Sequence, residues 1–279
     1  MLNRLWRTSP ALIATAALMA IVLAGAVVGL AVDPRIITGA PAWLKPAKFA
    51  VSIIIYTVTL AWIFSVIPEW TRTRRLIGRI TAITMVLEIA IIGTQAWRGT
   101  TSHFNVSTVT DAVLFMVMGL AILGQTLSTI AVAVALWRHR FEDMALGWAL
   151  RFGMCLTIVG ALTGGLMTRP TTAQLEAARA GERMTVSGAH TVGGPDGGPG
   201  LIGTGWSTEH GDLRVPHFIG LHAIQALSLV ALFLTRWRLG PRVRARLVLL
   251  AAASYAALYV ILLLQALRGV PLVTDLRAS

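Results

Sequence analysis

Pro10-Ala-Leu-Ile-Ala-Thr-Ala-Ala-Leu-Met-Ala-Ile-Val-Leu-Ala-Gly-Ala-Val-Val-Gly-Leu-Ala-Val32 carries no charged side chain, and no proline interrupts it after its first position. A membrane-spanning helix needs about 20 mostly apolar residues, and this stretch supplies one. Arg4 and Arg7 precede it, like the charged start of a secretory signal peptide. The apolar run is too long for a signal core of about 7–15 residues, so it reads as an uncleaved first span. Working outward, apolar runs lie near residues 11–32, 47–67, 76–97, 112–137, 145–167, 217–236 and 247–267. They are continuous and lack the dyad alternation of a membrane β-barrel. The expectation is an all-α polytopic membrane protein: one domain over residues 1–279, a bundle of seven transmembrane helices in contact with the lipid bilayer.

Composition agrees. Of the 279 residues, 56% are hydrophobic and 13% charged, and the mean hydropathy is +0.72. A soluble domain averages about 25% charged residues. The net charge of +12 does not call for nucleic acid. The arginines cluster in short loops beside apolar runs, where they set orientation and meet lipid headgroups. A nucleic-acid surface needs a basic patch on a recognisable module, and none is present. The single cysteine, Cys155, excludes an intrachain disulfide, a CxxC metal site and a c-type haem attachment.

Charge also orients the chain. With the N-terminus inside, the inner segments hold 14 cations, with Arg72, Arg74, Arg75, Arg79, Arg242, Arg244 and Arg246 prominent among them. The outer segments hold 10, four of which lie in the long loop 168–215, where charge counts little toward orientation. Acids run the other way, three inside and eight outside. The expected topology is N-in/C-out, with the long outer loop between helices 5 and 6. Five of the six histidines (His103, His190, His210, His217 and His222) then fall on the outer side, and His139 alone on the inner.

A loop longer than about 12–15 residues tends to be functional or disordered. Within it, Thr171 and Gln174 form a capping-box pattern, and Gly181 is placed to end a short amphipathic helix. Val192-Gly-Gly-Pro-Asp-Gly-Gly-Pro-Gly200 reads as irregular chain, either a lid hinge or a spacer. Pro46 and Pro216 suit first helical turns, and Asp111 is placed to cap the fourth span. No internal repeat is found, so an inverted-repeat transporter has no support.

Glu88 is the acid deep in a span. A charge at the bilayer centre costs about 2.5–3.5 kcal/mol, so such a residue faces the bundle interior. Thr81, Thr84, Glu88 and Gln95 fall within about 60° on a helical wheel. This stripe is either a structural hydrogen-bonding set or a proton or cation site. On the second span, Lys45, Lys48, Ser52, Tyr56 and Thr59 lie within about 80°. The two lysines either snorkel to the surface, the simpler reading, or bind an anionic headgroup.

The densest polar set is Trp206-Ser-Thr-Glu-His-Gly-Asp-Leu-Arg-Val-Pro-His-Phe-Ile-Gly-Leu-His-Ala-Ile-Gln225. His217 and His222 are spaced about 140° apart on a regular helix, too far to share one ion as an i, i+4 pair does. His222, a full turn inside the helix, is the better ligand. A haem would need a second axial ligand from another helix. Met116, Met118 and Met167 are available but suit packing better. A surface metal held by His103, His210, Asp212 and His217 has no diagnostic spacing. Arg98 is expected to pair with Asp212 or Glu209, or to bind an anion. Gly160 and Gly164 form a GxxxG that points to close helix packing.

Lys45-Pro-Ala-Lys-Phe49, Arg98-Gly-Thr-Thr-Ser-His-Phe-Asn105 and Gly211-Asp-Leu-Arg-Val-Pro-His-Phe-Ile-Gly-Leu-His-Ala-Ile-Gln225 resemble an uncharacterised family of bacterial multi-pass inner-membrane proteins. The resemblance covers most of the chain from the second span onward. It implies a bacterial plasma (inner) membrane and brings no activity with it. At Glu209-His210 the chain departs from the family pattern.

Together these features predict a ligand-binding site open to the outer leaflet. Its residues are Lys48, Gln95, Arg98, His103, Asn105, Asp212, Arg214, His217, His222 and Gln225, with Glu88 beneath. The ligand would be a cofactor such as haem, a metal, a quinone or an anionic, lipid-like molecule. Two alternatives stand beside it: a structural or assembly protein with a membrane-protein partner, and a small transporter or sensor. Nucleophilic catalysis has no motif to carry it.

Overall fold

The computed structural model describes residues 2–273. Asp275 and Arg277, which count among the charges expected on the outer side, lie outside them. In chain order the elements are α1 (Leu2–Thr8), α2 (Pro10–Val32), β1 (Ile36–Ile37), β2 (Ala40–Pro41), α3 (Leu44–Val66), α4 (Thr71–Trp97), α5 (Val109–Arg138), α6 (Met144–Met167), α7 (Thr172–Arg179), β3 (Thr191–Val192), β4 (Gly211–Asp212), α8 (Arg214–Leu221), α9 (Ala223–Leu234) and α10 (Pro241–Leu267). The strands form two short antiparallel pairs, β1 with β2 and β3 with β4. Six helices are long and apolar enough to cross a membrane, or seven if α8 and α9 count as one bent span.

Local chemistry explains most helix ends. Pro10 and Pro241 open α2 and α10, where a missing N–H is harmless. The Asp143 carboxylate accepts from the amides of Ala145 and Leu146 at the start of α6. The capping box of Thr171 and Gln174 forms as its pattern predicts, and Gly181 beyond α7 has φ +89°. At α5 the expected cap is corrected. The helix begins at Val109, and Thr108 and Asp111 bond reciprocally across its first turn.

The sixth apolar run departs from expectation. It is two helices bent by 43° with His222 at the break. His222 therefore ends α8 and does not lie a turn inside one regular helix. The azimuth argument that separates it from His217 does not apply across such a break.

The chain divides into two compact units. Unit 1 is Met1–Ser128 with Pro170–Ser187, and unit 2 is Thr129–Arg169 with Gly188–Ser279. In unit 1, Met19, Ala50, Ile53, Met85 and Ile89 pack α2, α3 and α4 together. Ile91, Ile92 and Met118 join α4 to α5. In unit 2, Ala145, Ala149, Leu227, Ala231, Val248 and Ala252 pack α6, α9 and α10. Large apolar side chains such as Ile21, Leu123 and Leu250 face outward, as they can in hydrocarbon without the cost that water imposes.

Candidate functional site

In unit 1 the polar stripe of α4 faces inward. Thr81, Thr84, Glu88 and Gln95 are all buried, as the helical spacing predicts. Glu88 lies about 14 Å along α4 from its end at Trp97, at 1.5 Å per residue. The loop after α4 folds back over it. His103 Nε2 comes 3.5 Å from Glu88 Oε1, while the other carboxylate oxygen is buried with no hydrogen-bond partner within the protein. Lys45 Nζ lies 3.1 Å from His103 Nδ1 and 6.0 Å from the centre of the Phe49 ring. An ammonium only donates, so a hydrogen bond from Lys45, like one from the Ser102 hydroxyl 3.1 Å from the same nitrogen, is accepted by Nδ1 and leaves Nε2 to carry the N–H that faces Glu88. Lys45 heads a row of three titratable groups. Lys48 is half-buried on the same helix.

The backbone makes this arrangement possible. Phe104 has φ +64°, a left-handed conformation that is uncommon for a bulky residue and costs on the order of 1–3 kcal/mol. Its buried ring packs edge-on against Phe115, with centroids 5.8 Å apart. The amide of Ser187 donates to the Phe104 carbonyl at 2.8 Å, and Asn105 bridges to Val186. The middle of the long loop thus straps the segment that carries His103.

Beside this row lies a second network, and it corrects an expectation. Arg98 pairs with neither Asp212 nor Glu209. Its guanidinium lies 2.6 Å from Asp111 Oδ1 and 2.5 Å from Gln95 Oε1. Gln95 Nε2 donates to the same carboxylate oxygen at 2.8 Å, and Thr108 Oγ1 donates to Oδ2 at 2.6 Å. Asn105 bonds Thr100 and Ser107. The Thr108-x-x-Asp111 spacing is itself a capping signal and was available in the sequence.

The remaining predicted residues belong to unit 2. Asp212 is buried and held by Arg214 through paired contacts of 2.6 and 2.9 Å. It also accepts from the amides of Ser207 and Arg214, and Arg214 donates to the Gly205 carbonyl. This pair is a loop clamp. His217 Nδ1 sits 2.7 Å from the Gly160 carbonyl oxygen. His222 lies against Phe218, with ring centroids 4.4 Å apart. Gln225 follows on α9, and Ser228 one turn on is buried. The break leaves backbone carbonyls to satisfy, and distant residues take them. Tyr255 donates to Ile219 at 2.7 Å and Thr157 to Leu221 at 3.3 Å. Sequence inspection identified neither.

Asp196, in the Gly/Pro-rich stretch, bonds the ring and backbone N–H of His190 and the amide of Thr191. Burial alone would raise its carboxyl, but these bonds and the His190 charge hold it well below the usual carboxylate range. In the same way Arg35, with help from Trp43, holds the Asp33 carboxyl low in the α2–α3 loop. The Gly/Pro-rich stretch is thus fastened at its middle rather than a plain spacer.

The structure brings Lys45, Glu88 and His103 together, sets Gln95, Arg98 and Asn105 beside them, and places Asp212, Arg214, His217, His222 and Gln225 in the other unit. Among the described residues, no group of three His, Cys, Asp or Glu side chains is placed to hold a metal ion. No family model, curated protein or solved structure matches the chain.

Proposed function

We propose that the protein is a multi-pass protein of a bacterial inner membrane, N-in/C-out, whose unit 1 binds a small lipid-soluble ligand at a proton-exchanging site toward the outer side. Glu88 is the acid, His103 the group that carries a proton between it and the surface, and Lys45 the charge that fixes the histidine tautomer. The ligand class is a molecule with a hydrogen-bond-accepting polar head, such as a quinone. The observation that carries the proposal is the 3.5 Å approach of His103 Nε2 to a buried Glu88 whose second oxygen takes no protein partner. An unpaired buried carboxyl oxygen costs about 1–3 kcal/mol, and a protein that only needed packing gains nothing by keeping it.

The test is infrared difference spectroscopy on the purified protein in nanodiscs, with and without a short-chain benzoquinone. A carboxyl band should shift on binding and vanish in Glu88→Gln, and His103→Ala should slow its proton exchange. A band that ignores the quinone, or survives in Glu88→Gln, overturns the proposal.

A structural role is the second reading. The Arg98–Asp111–Gln95 network supports it, because its donors and acceptors are matched to one another. On that reading the same variants lose stability and change no ligand response.

A further inference from the structure

At the opposite end of unit 1, α1, the end of α3 and the start of α4 border an open cavity of about 550 Å³. Four arginines line it, Arg4, Arg7, Arg74 and Arg75, and among the described residues lining it none is acidic. Two of the four are braced by backbone. Arg4 donates to the Ser65 carbonyl at 3.0 Å. Arg74 donates to the carbonyls of Phe64 and Pro68, while its Nε is buried with no acceptor in the protein. These bonds fix two of the guanidinium groups that line the cavity. Arg7 and Arg75 complete its wall.

The beginning of α4 makes the charge harder to explain without a ligand. Arg72, Arg74 and Arg75 occupy its first turns, no acid does, and Trp70 provides no side-chain cap. Cations at the positive end of a helix dipole are unfavourable, and the first amides of a helix have no intrahelical acceptor. Glu69 is close enough to act on Arg74, but one carboxylate does not balance four arginines. Orientation charge explains arginines near this end of the bundle; it does not explain four gathered around one cavity.

We propose that this cavity binds a phosphate group, with Arg4 and Arg74 as the fixed donors and Arg7 and Arg75 as the groups that close on the anion. Guanidinium groups suit phosphate because they donate in pairs. The phosphate could belong to an anionic lipid headgroup, as in basic pockets beside membrane helices, or to a soluble phosphate. The site is independent of the Glu88–His103 site.

The experiment uses the full chain in nanodiscs of phosphatidylcholine. One arm adds phosphatidylglycerol or cardiolipin, the other inorganic phosphate or glycerol phosphate; binding is read by native mass spectrometry and thermal shift. The variant is Arg7→Gln with Arg75→Gln, since neither arginine braces the backbone. The control is Arg238→Gln with Arg246→Gln, which removes the same charge from exposed positions in unit 2. The expected result is a saturable bound phosphate species whose affinity falls at least tenfold in the first variant and stays within twofold in the control. A response confined to the lipid arm identifies a headgroup site, and a response in the soluble arm identifies a phosphate solute. Equal loss in both variants, or no saturable binding in either arm, overturns the proposal.

Discussion

The ring of His217 hangs its Nδ1 2.7 Å from the carbonyl oxygen of Gly160, one turn from Gly164, where an added Cβ would stand 3.1 Å from the same ring. The GxxxG of α6 is therefore a seat for both a backbone and a histidine. Gly160 itself lies against Gly220, and a Cβ there would stand 2.5 Å from the Gly220 carbonyl carbon and the Leu221 nitrogen. Backbone cannot swing aside as a side-chain tip can. Gly160→Ala is expected to cost about 1–3 kcal/mol by overpacking. Gly165→Ala, with nothing within 4 Å of the new carbon, should be neutral. Thermal denaturation of the two variants in one detergent checks this, and equal melting temperatures would refute the contact.

Arg98→Ala should destabilise unit 1, because it strips a charged partner from the buried Asp111. The arginine side chain is 38% exposed, so the loss sits toward the lower part of the about 1–3 kcal/mol expected for orphaning a buried group. Asp111→Asn in the Arg98→Ala background should recover part of it. A double-mutant cycle on melting curves measures the coupling; strict additivity would show that the pair does not interact.

Tyr255→Phe removes the donor to Ile219 at the α8–α9 break. A loss of about 1–2 kcal/mol is expected from the unmet carbonyl. It should come with faster amide exchange at residues 219–225 and not along α4. Unchanged exchange there would mean that the break does not depend on the tyrosine.

The low-lying Asp196 carboxyl predicts that the long loop is acid-sensitive. Its folded pKa is depressed from an ordinary value of 3.8. Its contribution is therefore fully present above about pH 4 and is lost as pH falls further. Asp196→Asn should remove that contribution at neutral pH and flatten the acid limb of a stability-against-pH profile. Protease nicking of the 190–200 segment is the readout, and an acid limb identical in both proteins would rule out Asp196 as its cause.

The apolar runs and the inward stripe of α4 were legible because both are local patterns: run length for one, a 100° repeat for the other. Thr171 with Gln174 was legible for the same reason. The break at His222 was not, since Phe218 to Leu234 reads as one apolar stretch and the groups that hold it bent, Thr157 and Tyr255, are far away in sequence. The sequence leaves the partner of Arg98 open among distant acids and an anion, although Asp111 stands close by within a capping pattern. The arginine cavity went unseen because its walls come from residues 4–7 and 74–75, each an ordinary basic flank by itself. His103 was legible as a candidate, but its reach to Glu88 depends on a left-handed Phe104 that no composition rule announces.

The bond from Tyr255 to Ile219 also bears on the order in which the chain is made. Ile219 leaves the ribosome well before Tyr255, so when the Arg214–Leu234 segment first enters the bilayer the Ile219 carbonyl has no hydroxyl to lean on. Until Tyr255 arrives, the Thr157 hydroxyl on α6, made earlier, is there for the Leu221 carbonyl, but the Ile219 carbonyl lacks its donor. The bend is thus completed late, when the Tyr255-bearing helix docks. A chain stalled after Leu234 should hold a looser bend at residues 219–222 than the finished protein does.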